Sequence, residues 1–427
     1  MLLGAVADDL TGATDLSLML SREGMKTIQV IDVPQQGFDF GDADAVVVAL
    51  KSRTVPVNEA VSMSLQSARA LLAAGAEQLL FKYCSTFDST DEGNIGPVAE
   101  ALMELVGTDL TIACPAFPAA GRSIYQGHLF VGGKLLSESP MKDHPLTPMR
   151  DANLVRFLQR QTKGKVGLVD LVSVEAGAQS VRDAFAAARA DGIRIVIVDA
   201  IRDADLRTIG EACYGMPLIT GGSGIAMGLP ANFRAAGKLE LREPAQTLAA
   251  PAGRAVIIAG SCSVATRGQI EAAIAAGVPA LQVGALEIAD GKISAAEIVD
   301  WIVANSDGRP PLVYSSADPD VVGSVQAELG RERAGQLVED MLAEVGKRLL
   351  GHGFTRFLIA GGETSGAVVS ALGVNALEIG PEIDPGVPWT RSSGGARLAL
   401  ALKSGNFGSR DFFVKAWDLL CEDGVNG

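Results

Sequence analysis

Short apolar runs alternate with amphipathic stretches along most of the chain, and this alternation constrains the fold more than any single motif. LLGAVAD opens the sequence and is followed by helical periodicity from Thr11 to Glu23. TIQVID, AVVVAL at 45–50 and QLLFKY at 78–83 repeat the apolar run, with a helical pattern over 58–74. LTIACPA at 110–116, VGLVDL at 166–171, IRIVIVDA at 193–200 and PLITGG at 217–222 continue it. Near-continuous apolar runs suit strands covered on both faces, and strands separated by helices pair in parallel through βα units. The expectation is an α/β fold in which a mainly parallel sheet is flanked by helices.

The rhythm breaks twice. Residues 121–148 are rich in Gly, Pro, His and Ser without a clear period, and Arg122, Tyr125, His128, Lys142 and His144 fall there. A loop of that length in a compact domain is usually functional or disordered, and these polar residues favour the functional reading. EPAQTLAAPAG at 243–253 reads as a linker, after which the rhythm restarts. RAVIIA leads to a helical stretch at 264–276, LVYSS at 312–316 is strand-like, 331–350 is a long helix, and RFLIAGGETSGAVVSAL at 356–372 is strand, glycine turn and helix. Single cores stop growing near roughly 250–300 residues, so 427 residues predict two domains. Their expected bounds are 1–242 and 254–427, with 243–253 as the linker.

The formal net charge is −14, which disfavours binding of nucleic acid or anionic lipid by bulk electrostatics. An anionic ligand then needs a local cluster of Lys and Arg. The five cysteines are far apart and none lies in a CxxC pair, so neither a disulfide framework nor a zinc site is expected, and a cytoplasmic setting is. The N-terminal stretch lacks a basic region and meets Asp8 and Asp9 at once, so it does not read as a secretory leader, and no membrane span is expected. The spacing of His128, His144 and His352 matches no metal motif.

Ligands of parallel sheets bind beyond the carboxyl ends of strands. ADDLTGATD, KYCSTFDST, AGSCS and AGGETSG each follow an apolar run. In the first, Asp8, Asp9 and Asp15 surround a strand end and the start of a helix. Carboxylates there can cap the helix, accept a proton from a substrate hydroxyl or help to hold Mg²⁺. Arg53 in KSR, Lys82 and Asp88 in KYCSTFDST, and Arg122 bring the charge that a small acid requires, or serve as solvated strand-end residues. Gly361, Gly362 and the helix beginning near Thr364 form a turn that can cradle a phosphate, and Ser263 in GSCS is placed to cap a helix. The Walker pattern GxxxxGK[ST] is absent, and GGSGIAMG at 221–228 has the wrong spacing for a dinucleotide fingerprint.

Taken in order, ADDLTGATD, KYCSTFDST, PAFPAAGR…YQGHLFV, SPMKDHPLTPM, GSCS and GGETSGAV resemble the four-carbon acid sugar kinase family over nearly the whole chain. The resemblance implies ATP-dependent transfer to the terminal hydroxyl of a 3-oxo-tetronate, with the active site in an interdomain cleft and Mg²⁺ arriving with the nucleotide. It implies that Asp8, Asp9, Arg53, Lys82, Asp88 and Arg122 face the acid, Asp9 or Asp8 being catalytic. It implies that Ser261, Gly361, Gly362, Glu363, Thr364 and Gly405 contact ATP. D-threonate and D-erythronate are alternative acceptors, and a non-catalytic sugar-acid binder is the alternative of another class. Homo-oligomerisation is left open.

Overall fold

The computed structural model describes residues 1–144, 147–243, 245–316 and 327–422. Contacts divide the chain into two compact units, Met1–Pro244 and Ala245–Gly427.

In the first unit, eight strands run parallel in the order β2-β3-β1-β4-β11-β5-β10-β9. They are β1 (Leu3–Ala7), β2 (Thr27–Ile31), β3 (Ala45–Ala49), β4 (Gln78–Lys82), β5 (Thr111–Cys114), β9 (Lys165–Val169), β10 (Ile193–Val198) and β11 (Leu218–Gly221). Every residue of β1, β3, β4, β5 and β11 is buried, as expected of strands covered by helices on both faces. Among the covering helices are α1 (Leu10–Arg22), α2 (Val57–Ala73) and α3 (Ile95–Val106). The chain leaves β1 toward β2 on one side and leaves β4 toward β5 on the other. The neighbours β1 and β4 therefore flank the topological switch point, where α/β sheets open a crevice at their carboxyl ends.

The expected irregular loop is largely structured. Arg122–Tyr125 (β6), His128–Val131 (β7) and Lys134–Leu135 (β8) form a small antiparallel sheet, followed by 3₁₀ turns at Leu136–Glu138 and Pro140–Asp143. Short strands with turn residues on both sides carry too little periodicity to be read in advance. Pro145 and Leu146 of this stretch lie outside the described residues. Gln126 (φ 50°) and Gly127 (φ 70°) make the β6–β7 turn, and both backbone N–H groups donate to the buried Asp199 carboxylate, at 2.7 and 2.9 Å.

The second unit holds the order β14-β15-β13-β16-β19-β18-β17. Its strands are β12 (Leu248–Ala250), β13 (Arg254–Ala259), β14 (Ala280–Gln282), β15 (Leu312–Tyr314), β16 (Phe354–Ala360), β17 (Ala376–Asp384), β18 (Val387–Ser392), β19 (Ala399–Lys403) and β20 (Leu420–Glu422). The first five in the sheet are parallel; β19, β18 and β17 continue it as an antiparallel meander. The expected linker contains an element of its own, because β12 pairs in parallel with β20 and buries Leu248 and Ala250. The Leu248 and Ala250 side chains join the core around Trp389, whose indole N–H donates to Ala416 O at 2.6 Å. Here β13 leads toward β14 and β16 leads the other way, so the switch point lies between β13 and β16. Among the described residues no helix is long and apolar enough to cross a membrane.

Candidate functional site

At the first switch point β1 is followed directly by Asp8 and Asp9. Asp9 is the N-cap of α1: its Oδ1 accepts from Gly12 N (3.2 Å) and its Oδ2 from Thr11 Oγ1 (2.8 Å). Arg53, just beyond β3, closes on both acids. Its Nε and Nη2 meet the two oxygens of Asp8 at 2.9 and 2.8 Å, and Nη2 also donates to Asp9 Oδ1 at 2.7 Å. The loop that carries Arg53 is held by Asn94, whose Nδ2 donates to the carbonyls of Ser52, Arg53 and Val55.

Lys82 ends β4 beside β1, and its carbonyl accepts from Asp8 N at 3.0 Å. Its side chain is 3% exposed and takes part in no hydrogen bond or ion pair among the described residues. A Cβ at Gly12 would sit 2.8 Å from Lys82 Nζ and 2.2 Å from Asp9 Oδ1, so only glycine lets the first turn of α1 lie against both charges.

The two acids differ in electrostatics. Burial pushes the Asp8 carboxyl up, against the pull of Arg53. Burial pushes Asp9 the same way, but Arg53, then Lys82, then the Thr11 and Gly12 hydrogen bonds outweigh it and hold Asp9 below the usual range. The Asp8 side chain is 6% exposed and that of Asp9 28%, so Asp9 is the acid a ligand can reach.

The next residues of KYCSTFDST line up by hydrogen bonds: Cys84 Sγ meets Thr86 Oγ1 at 2.9 Å, and Thr86 Oγ1 donates to Asp88 Oδ1 at 2.6 Å. Phe87 is fully buried with φ 56°, a conformation that bulky residues avoid. Its ring lies edge-on to Tyr83 and Phe157, 5.3 and 5.9 Å away, and this packing holds the turn that presents Asp88. Burial, then the Asp88 charge, raises the Cys84 thiol to about 11, which leaves it unreactive as a nucleophile. Arg122, at the start of β6, makes no hydrogen bond to Asp8, Asp9, Arg53 or Lys82; it donates from Nη1 to Ala120 O, and its Nε is buried without a partner.

In the second unit three strand ends converge. After β13, Gly260 N and Ser261 N both point to Ala360 O, the last carbonyl of β16. Gly361 (φ 133°) follows, and its N–H donates to Lys403 O at the end of β19, 2.8 Å away. Thr364 Oγ1, in the helix Gly362–Ala371, fills the space that a side chain on Gly260 would need. A Cβ at Gly405 would lie 2.4 Å from Ser261 Oγ. Ser261, Gly361, Thr364 and Gly405 are thus brought together, while Gly362 and Glu363 are exposed at the rim. Ser263 caps the helix Val264–Ala275 and its hydroxyl also meets Gly405 O at 2.5 Å.

Sequence reasoning passed over Lys403, although it ends an apolar run (ALALK) before a glycine turn in the same way that Lys82 ends LLFK. Its ammonium is wholly buried and donates to Thr266 Oγ1, Ser404 O and Gly405 O at 3.0–3.1 Å. Asn94 was also missed, because its role lies in carbonyls some forty residues away in sequence. Among the described residues no three His, Cys, Asp or Glu side chains gather as a metal site.

Residues 3–229 match the family model of a sugar-binding N-terminal domain, and residues 256–413 that of a nucleotide-binding C-terminal domain. The chain is 57% identical over 417 residues to the 3-oxo-tetronate kinase of Cupriavidus necator, covering 97% of this chain and 96% of that protein. It is 56% identical to the one of Pseudomonas savastanoi pv. phaseolicola, with the same coverage. Among solved structures, a Salmonella typhimurium LT2 protein aligns over 97% of this chain and 98% of its own, at TM-score 0.87 and 39% identity. A Haemophilus influenzae protein aligns at TM-score 0.83 and 41% identity, covering 97% and 99%.

Proposed function

The chain belongs to the four-carbon acid sugar kinase family, and from that premise we propose that its first unit holds 3-oxo-tetronate and its second holds ATP. The reaction is transfer of the γ-phosphoryl group to the 4-hydroxyl of the sugar acid. The observation that carries the reading is that each unit gathers its chemistry-bearing residues at its own switch point, with charges of both signs in the first and glycines, hydroxyls and a buried cation in the second.

Phosphoryl transfer asks a protein mainly for positioning and charge neutralisation. Lys82, a nearly buried cation that acts on Asp9 only through its charge, receives the substrate carboxylate, and Asp88 and Arg122 complete the acid's surroundings. Asp9 orients the 4-hydroxyl and takes its proton as the oxygen–phosphorus bond forms and the bond to the ADP oxygen breaks. Asp8 is spent on Arg53, which keeps both acids in register. Ser261, Gly361, Thr364 and Gly405 surround the phosphates, with Gly362 and Glu363 at the rim. Because Arg53 engages both carboxylates, Mg²⁺ is assigned to the nucleotide's phosphates.

Coupled detection of ADP with 3-oxo-tetronates, D-threonate and D-erythronate tests this. Turnover should be fastest with a 3-oxo acid. Preference for a reduced acid would overturn the substrate, and absence of acid-dependent ADP with every member would overturn the kinase.

A further inference from the structure

Lys403 is the one wholly buried lysine among the described residues, and every hydrogen bond of its ammonium goes to a neutral oxygen. It has no ion pair among the described residues. An ammonium taken out of water without a counter-charge is strongly disfavoured, and hydroxyl and carbonyl dipoles offset only part of that. An aliphatic side chain would pack the end of β19 without this penalty. The position is also particular: the Lys403 carbonyl holds Gly361 N, and its ammonium holds Thr266, in the first turn of the helix Val264–Ala275, and the Gly405 turn. One residue therefore ties together the three strand ends at the second switch point, in a chain that has no Walker lysine.

We propose that Lys403 is the resident cation of the nucleotide site, supplying from beneath the Ser261, Gly361 and Gly405 turns the positive charge against which the phosphates bind. The proposal rests on the reading of the second unit as the ATP-binding one. Burial lowers the Lys403 ammonium to about 8. Around it stand Ala360 on β16, Thr266 on one helix, and Ser404 and Gly405 beyond β19, none of them titratable. Cys262, Arg267 and Glu363, on the adjoining turns and helix, are not among its hydrogen-bond partners. An arriving polyphosphate is then the group that raises its proton affinity, so binding takes up a proton where Lys403 is partly neutral.

The test is calorimetry of ADP binding to the whole protein in buffers of different ionisation enthalpy. At pH 8 the wild type should take up a fraction of a proton per ADP, and less at pH 7. Lys403→Met should lose that uptake and bind ADP about tenfold or more weakly, and Lys403→Arg should recover affinity. A structural role alone would not move the proton count. ADP binding by the wild type without uptake at pH 8 overturns the proposal, as does equal affinity and uptake in a folded Lys403→Met. Failure of the wild type to bind ADP overturns the nucleotide reading instead. If Lys403→Met does not fold, the wild-type proton count decides.

Discussion

The two switch points treat charge in opposite ways. In the first unit Arg53 is locked between two carboxylates and Lys82 lies against the same first turn of α1, so two acids and two bases sit together. In the second unit one ammonium is buried among neutral oxygens. A sugar acid offers a carboxylate and a hydroxyl that must lose a proton, and only a site with both signs answers both. A polyphosphate offers only negative charge, and a positive surplus with free backbone N–H groups is what binds it. On the proposed assignment the same topology serves two ligands by the charges it gathers, a balanced set of both signs at one switch point and a buried cation at the other.

Asp9→Asn breaks the first site at its reactive oxygen. Turnover should fall by about 10²–10⁴ with the KM for ATP unchanged. Thermal stability should fall only modestly, because Asn keeps the helix cap while giving up the charge pairing with Arg53 and Lys82. If turnover survives while Asp8→Asn is inactive, the roles of the acids are exchanged. Arg53→Met removes the shared cation and leaves a nearly buried carboxylate without its partner. A loss of roughly 3–5 kcal/mol is expected, read by urea unfolding; a loss under about 1 kcal/mol would mean the cluster is solvated and the contrast between the sites is overstated.

The second site is sharpened by alkaline pH. Folded Lys403 titrates near 8 instead of 10.5, so between these values the unfolded chain binds more protons. Stability should therefore rise with pH across that window, by roughly 3 kcal/mol in all. The rise should be missing from Lys403→Met; equal unfolding free energies of the wild type at pH 8 and 10, read by denaturant titration, would refute it. The smallest effect belongs to Lys82→Met, which should raise the KM for the acid about tenfold to a hundredfold through loss of one charge-assisted contact and leave that for ATP alone. Equal rises in both would place Lys82 outside the acid site.

Much of this was legible in the sequence because it is local. A strand end followed by a polar or glycine turn is contiguous, so Asp8, Asp9, Lys82, Ser261 and Gly361 could all be marked, and the parallel strands around them follow from uninterrupted apolar runs. What stayed hidden depends on contacts between distant segments. Asn94 acts on carbonyls at 52, 53 and 55, and Lys403 acts across a sheet on Thr266. The three short strands after Gly121 and the strand Leu248–Ala250 draw their stability from pairing partners, not from their own pattern.

Asp9 is at once the reactive carboxylate of this proposal and the cap of α1. That double duty narrows what mutation can do there. An amide at this position keeps the fold and the pocket while silencing the chemistry, so such an allele would yield an abundant protein that sequesters its acid and nucleotide without consuming them.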